Sequence, residues 1–221
     1  MSAIIARRLL VLVSLCFVFI QHLNAIDKTP ITHLGIQQGL SNNSVRCIYQ
    51  DHKGQMWFGT YDGLNLYDGY NFTVFRNKLN DSTSLPHNYI YTIHEDRQNN
   101  LWIGTGQCIA IYNAIYSRFK PAYYFSHGTG EKQKISLTVN AIKSDNSGNV
   151  FVGTNGLGLL LKKKGTDISI QIPIREGQQE STGYNVQALS IDKQGHVWLF
   201  ILDLGLCVFA APFTNRIELL A

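Results

Sequence analysis

The chain has 221 residues, of which 45% are apolar, 11% aromatic and 15% charged. That balance supports a sizeable core, leans toward sheet and excludes a largely disordered chain. The formal net charge is +4, and setting aside Arg7 and Arg8 leaves 17 basic against 15 acidic residues, too even a balance for a nucleic-acid footprint.

Residues 1–25 read as a secretory signal. Arg7 and Arg8 supply the basic start, residues 9–20 are apolar apart from Ser14, and Leu23-Asn24-Ala25 ends on a small residue suited to cleavage. The apolar run is shorter than the roughly 20 residues that span a bilayer, and Leu15 is too large for a lipoprotein signal at Cys16. The expected product is exported to the periplasm, with no membrane helix beyond the leader. Cys47, Cys108 and Cys207 follow it, an odd and widely spaced set that fits neither a disulfide framework nor a zinc site. Buried, unpaired thiols are the expectation.

Residues 26–221 are expected to open on a strand near 31–36. Beyond it, four segments share one pattern. An aliphatic residue (Val45, Ile90, Val139, Val186) stands six before an Asp (Asp51, Asp96, Asp145, Asp192). An aromatic (Trp57, Trp102, Phe151, Trp198) stands six after it, at periods of 45, 49 and 47. The stretch before each Asp is β-branched and alternating, which suits a strand. Asp-x-x-Gly makes a tight reversal, with Asn99 replacing glycine in the second repeat. A second strand carries the aromatic, Gly-Leu opens a third and a fourth precedes a polar connection. Four short strands per period is the pattern of a propeller blade, with a solenoid or sandwich as the alternative. The fold class is therefore all-β, about four four-stranded blades in an incomplete ring, with repeats near 45–77, 90–125, 139–174 and 186–221. The aromatics are expected to pack between neighbouring sheets and the Asp residues to form turns. Asp145-Asn-Ser-Gly-Asn149 lacks the glycine and terminal Glu of a calcium loop. Lys162-Lys163-Lys164 reads as a solvated strand end or turn.

The stretch Gly39-Leu40-Ser41-Asn-Asn43-Ser-Val45, followed by Asp-x-x-Gly-x-x-Trp-Phe-Gly-Thr-x-x-Gly-Leu and Tyr67-Asp68-Gly69, resembles the two-component regulator propeller repeat. Its echo is Ser84-Leu85-Pro-His-Asn88-Tyr-Ile90. Such repeats form the periplasmic sensor of hybrid histidine kinases of the Bacteroidetes type. The resemblance implies long receptors with seven-bladed rings that detect oligosaccharides. Four repeats fall short of such a ring, so the expectation is a fragment of a longer receptor, with no kinase domain of its own. Two departures are Cys108 at the second Gly-Leu step and Phe200-Ile201 in place of Gly-Thr, each expected to alter turn geometry.

Loops at one face of a propeller carry recognition. That places candidate oligosaccharide contacts at Tyr61 and Asp62 in one loop and His87, Asn88 and Tyr89 in another. No cofactor or metal is expected. The seven histidines show no HxH or HExxH pairing, no GxSxG occurs, and Gly128-Thr-Gly-Glu-Lys132 is not a P-loop. A non-catalytic sensor segment is therefore favoured over a secreted interaction scaffold and over an enzyme similar to the streptogramin lyases. Open sheet edges would invite the missing blades or a second copy as partners.

Overall fold

The computed structural model describes Arg8 and residues 31–176, 179–209 and 217–218. Apart from Arg8, the leader lies outside these residues. Contacts divide the chain after His33, and the architecture below belongs to Leu34–Ala221.

Each Asp-x-x-Gly turn closes because the Asp side chain accepts from the turn it starts. Asp51 Oδ1 accepts the amides of Lys53 and Gln55 at 3.0 and 2.9 Å, and Asp96 and Asp192 do the same for residues two and four further on. The fourth turn residue is left-handed in all four, with φ of 80° at Gly54, 61° at Asn99, 90° at Gly148 and 87° at Gly195. Asn99 thus takes the one conformation for which asparagine is glycine's best substitute.

These turns join the first two strands of four sheets. In the first two sheets, β1 (Val45–Gln50), β2 (Met56–Thr60), β3 (Gly63–Tyr67) and β4 (Phe72–Phe75) pair in order, as do β5 (Ile90–Glu95), β6 (Leu101–Thr105), β7 (Ile109–Asn113) and β8 (Arg118–Pro121). A hairpin of β9 (Tyr123–Phe125) and β10 (Lys132–Lys134) comes next. In the third sheet β11 (Val139–Ser144), β12 (Val150–Thr154), β13 (Leu159–Lys162) and β14 (Ser169–Ile172) pair in order. β9 lies parallel against β14, so the hairpin extends this sheet to six strands. A second hairpin, β15 (Ile174–Glu176) with β16 (Gln179–Ser181), precedes the fourth sheet of β17 (Val186–Ile191), β18 (Val197–Ile201) and β19 (Gly205–Phe209). β20 (Ile217–Glu218) pairs in parallel with β15. Four-stranded blades thus hold for the first two repeats, the β9–β10 hairpin extends the third, and the fourth has three strands among the described residues, with β15, β16 and β20 forming a sheet of their own.

The core lies between the sheets. Trp57 packs with Ile90, Ile93 and Leu101 of the second sheet. Trp102 packs with Val139, Ile142 and Val152 of the third, and Phe151 with Val186, Leu189 and Leu199 of the fourth. The Asp that makes each turn also holds the ring. Asp51 Oδ2 accepts Trp57 Nε1–H at 2.9 Å, Asp96 Oδ2 accepts Trp102 Nε1–H at 2.8 Å, and Asp192 Oδ2 accepts Trp198 Nε1–H at 3.0 Å. Phe151 has no N–H, and Asn149 Nδ2 donates to Asp145 Oδ2 instead at 2.7 Å. Trp198 differs from its three counterparts: it is 37% exposed because no described sheet packs on its outer side. The strand patterns agree. β6 and β12 are buried at every position, covered on both faces, whereas β18 alternates buried and exposed.

Glycine in Gly-Thr sets the spacing between sheets. A Cβ on Gly59 would lie 2.6 Å from Ile90 Cγ2, one on Gly104 2.8 Å from Val139 Cγ1, and one on Gly153 2.7 Å from Val186 Cγ1. The next sheet's first residue occupies the space a side chain would need. Phe200 holds the matching register, opposite Ala188 as Gly59 is opposite Cys47, and its ring is 44% exposed. The hairpin there remains regular, with Ile201 opposite Gly205, so Phe200 changes the face offered to a neighbour rather than the turn. At the other departure Cys108 closes its turn without the positive φ of Gly63 and Gly158.

Three local expectations are corrected. No strand forms near 31–36: Ile36–Gln38 is a 3-10 turn, and the amides of Gly35 and Ile36 donate to the side chains of Gln38 and Asn43 rather than to a ladder. Lys162 is not solvated but 8% exposed, because β13 runs through the middle of its sheet before the chain emerges at Lys163. Cys47 is half-buried rather than buried, a reduced thiol that desolvation pushes up to about 12. Cys108 and Cys207 are buried.

Two outcomes follow from this packing. Gly104→Ala should lower stability by about 1–3 kcal/mol, the range for overpacking, read as a lower urea midpoint at unchanged slope. His94 is held at about 4, below its ordinary value, chiefly by burial, with Lys143 adding and Asp96 opposing. The unfolded chain therefore takes up a proton near pH 6.5 that the folded chain refuses. Stability should be full above pH 6.5 and fall as the pH drops toward 4, by up to ~3 kcal/mol. His94→Gln should flatten that fall between urea midpoints taken at pH 7 and pH 5.

Candidate functional site

The first strands of the four sheets, β1, β5, β11 and β17, lie beside one another in succession. Each carries a bulge one residue after its start. A bulge turns one side chain out of the ladder, so Arg46, Tyr91, Asn140 and Gln187 leave their strands at equivalent places. Asn140 spans to the next sheet, its Nδ2 donating to Val186 O at 2.9 Å. Arg46 and Tyr91 join a cluster.

That cluster forms where the first sheet meets the second. The Arg46 guanidinium lies 5.9 Å from the Tyr61 ring centre and 5.3 Å from that of Tyr91. Tyr61 meets Tyr89 edge to face at 4.4 Å, and Tyr89 stacks on Tyr91 at 4.7 Å. Interaction with Tyr89 draws Tyr61 below the ordinary tyrosine range, with desolvation opposing and the Arg46 charge adding. The same interaction pushes Tyr89 up to about 12. Tyr61 is 45% exposed and Arg46 is exposed, while Tyr89 and Tyr91 are half-buried, so the cluster opens to solvent on its Tyr61 and Arg46 side.

The loops below the rings are held by the other candidates. Arg76 Nη2 lies 3.1 Å from Asp62 Oδ2, and Asn88 Nδ2 donates to Asp62 Oδ1 at 3.3 Å. Asn88 Oδ1 accepts the Asn77 amide at 2.7 Å, while its carbonyl accepts the Gly63 amide at 2.8 Å. His87 Nδ1 accepts the Tyr89 amide at 3.2 Å. All five candidates, Tyr61, Asp62, His87, Asn88 and Tyr89, therefore come together at one junction, but in two roles. Tyr61 and Tyr89 present open surface, whereas Asp62, His87 and Asn88 spend their polar groups fixing the loops.

Arg46 and Tyr91 were missed by sequence reasoning. The signal for them was a column of unlike polar or aromatic residues, one after each repeat's first aliphatic, inside an otherwise apolar strand. The cluster can grip a ring-shaped polar ligand through stacking, donor hydroxyls and a cation. Among the described residues, no three His, Cys, Asp or Glu side chains gather as a metal would require. No helix among them is long and apolar enough to cross a membrane.

Successive small sheets, each seating its ring on the next, define an arc of β-propeller blades. More specifically, the family model described as two component regulator propeller matches residues 39–62 and 84–107. Histidine kinase P4 of Formosa agariphila is 48% identical over 67 residues, which is 29% of this chain and 4% of that protein. The extracellular domain of the hybrid two component system BT3049 from B. thetaiotaomicron superposes with a TM-score of 0.69 at 24% identity, covering 86% of this chain and 26% of that one. That of BT4673 from the same organism gives 0.61 at 20% identity, over 83% and 26%. The chain thus spans a small part of each relative, and the solved structures share its fold.

The interaction of Tyr61 with Tyr89 has a measurable consequence. In the wild type, Tyr61 should titrate below the ordinary tyrosine range and Tyr89 near 12. Tyr89→Phe should return Tyr61 toward an ordinary value, followed by the ring carbon shifts of labelled tyrosine against pH.

Proposed function

We propose that the chain is part of the extracytoplasmic, ligand-sensing propeller of a hybrid two-component histidine kinase, and that it is not catalytic itself. In this reading the chain is exported to the periplasm, and the cluster of Arg46, Tyr61, Tyr89 and Tyr91 receives an oligosaccharide. The observation that carries the proposal is one of placement. Arg46 and Tyr61 fall within the first matched repeat and Tyr89 and Tyr91 within the second, so the exposed cluster is built by the parts most like the sensor family. Sugar rings offer C–H faces to aromatic side chains and hydroxyls to polar ones, and this cluster presents both.

A second reading, an interaction scaffold, is favoured by the bare sheets at each end. Ile48 is 61% exposed on the first sheet, and Phe200 and Leu206 are 44% and 68% exposed on the fourth. Further blades or a second copy would cover such surfaces.

Thermal shift of the full chain against a panel of glycan oligosaccharides separates the two. A sensor should show a saturable rise in melting temperature with at least one glycan, and Arg46→Ala or Tyr61→Ala should weaken it about tenfold. Silence across the panel, with association rising with protein concentration, would favour the scaffold.

A further inference from the structure

A second opening lies away from the tyrosine cluster, between the second and third sheets. It is a cleft of about 600 Å³, walled on one side by the β9–β10 hairpin that extends the third sheet. Three lysines line it, Lys120, Lys132 and Lys162, against one carboxylate, Asp167.

Lys162 is the unusual member. It is only 8% exposed, and its Nζ lies 6.0 Å from the centre of the Trp102 ring. No carboxylate of a described residue lies within ion-pair distance of it. Burying an ammonium without a counter-charge is costly, and the face of a tryptophan offsets only part of that cost. Lys132, reaching in from the hairpin, sits over Tyr123 at 4.6 Å, and no carboxylate of a described residue lies within ion-pair distance of it. Two cations resting on aromatic faces at the edge of one cleft leave a positive site that an anion would complete.

We propose that this cleft binds an organic anion, a carboxylate or sulfate group carried on a hydroxylated ring. Lys162 would meet the anionic group at depth, with Lys132 and Lys120 closing on it from the hairpin side. The apolar lining of Ile111 and Tyr123 suits the body of a ring, and the side-chain amide of Gln98 suits its hydroxyls. An acidic sugar has this combination. The site shares no residue with the tyrosine cluster and stands or falls apart from it.

Calorimetric titration of the full chain with glucuronate, glucose 6-sulfate, glucose and inorganic sulfate at matched ionic strength tests the proposal. Glucuronate or glucose 6-sulfate should bind saturably, about tenfold tighter than either glucose or inorganic sulfate. Lys162→Met keeps the aliphatic stem and removes the charge, and it should weaken binding about tenfold or more. Lys132→Met, at an exposed hairpin position, should weaken it while leaving the melting temperature unchanged. Arg46→Ala should leave it intact. Equal binding of glucose, equal binding of inorganic sulfate, no binding of any acidic sugar, or unchanged affinity in both lysine variants would overturn the assignment.

Discussion

The seating of one aromatic ring per sheet on the sheet that follows is the contact on which the rest depends. A four-stranded antiparallel sheet alone has two faces and little core. Here the face of one sheet becomes the floor for the next, and Trp57, Trp102 and Phe151 fill the space between. The two indoles are not free to turn, because the Asp six residues earlier accepts the N–H while also closing the hairpin. One carboxylate therefore couples a local turn to an inter-sheet contact. The glycine beyond the ring lets the next sheet approach closely, as the near-collision of Gly59 with Ile90 makes plain.

Those shared elements fix a scaffold and leave particular positions open to difference. The bulge residue of each first strand lies outside the ladder, so its side chain is not needed for strand pairing. Arg46, Tyr91, Asn140 and Gln187 occupy that place with four different chemistries. Connections between sheets are unconstrained by the seating of the rings. One such connection forms the β9–β10 hairpin and so creates a lysine-lined cleft that the repeat by itself would not have.

The legibility of the sequence follows the same division. Asp51, Trp57 and their counterparts recur at a near-constant period because each must satisfy the same hydrogen bonds and fill the same gap. Asn99 could be read as a glycine substitute because φ is a property of a single residue. Lys162 could not be read as buried, since a lysine at the end of a run of three looks solvated until the outer strands on its flank are known. The candidates Asp62, His87 and Asn88 were found at the junction because they sit in loops of the repeat, yet their hydrogen bonds go to backbone and to each other's loops. Only coordinates separate a side chain that holds a loop from one that faces a ligand.

By itself, the sequence determined that the chain is an array of small antiparallel sheets, where each turn falls, and which ring each sheet contributes, because these are local or periodic requirements. The tertiary structure alone decided which rings are covered, that Arg46 and Tyr91 meet Tyr61 and Tyr89, and that Lys162 ends in a cleft with no carboxylate of a described residue in ion-pair distance. Those outcomes depend on which sheet faces which, a relation between residues some 40–50 positions apart that no local pattern encodes.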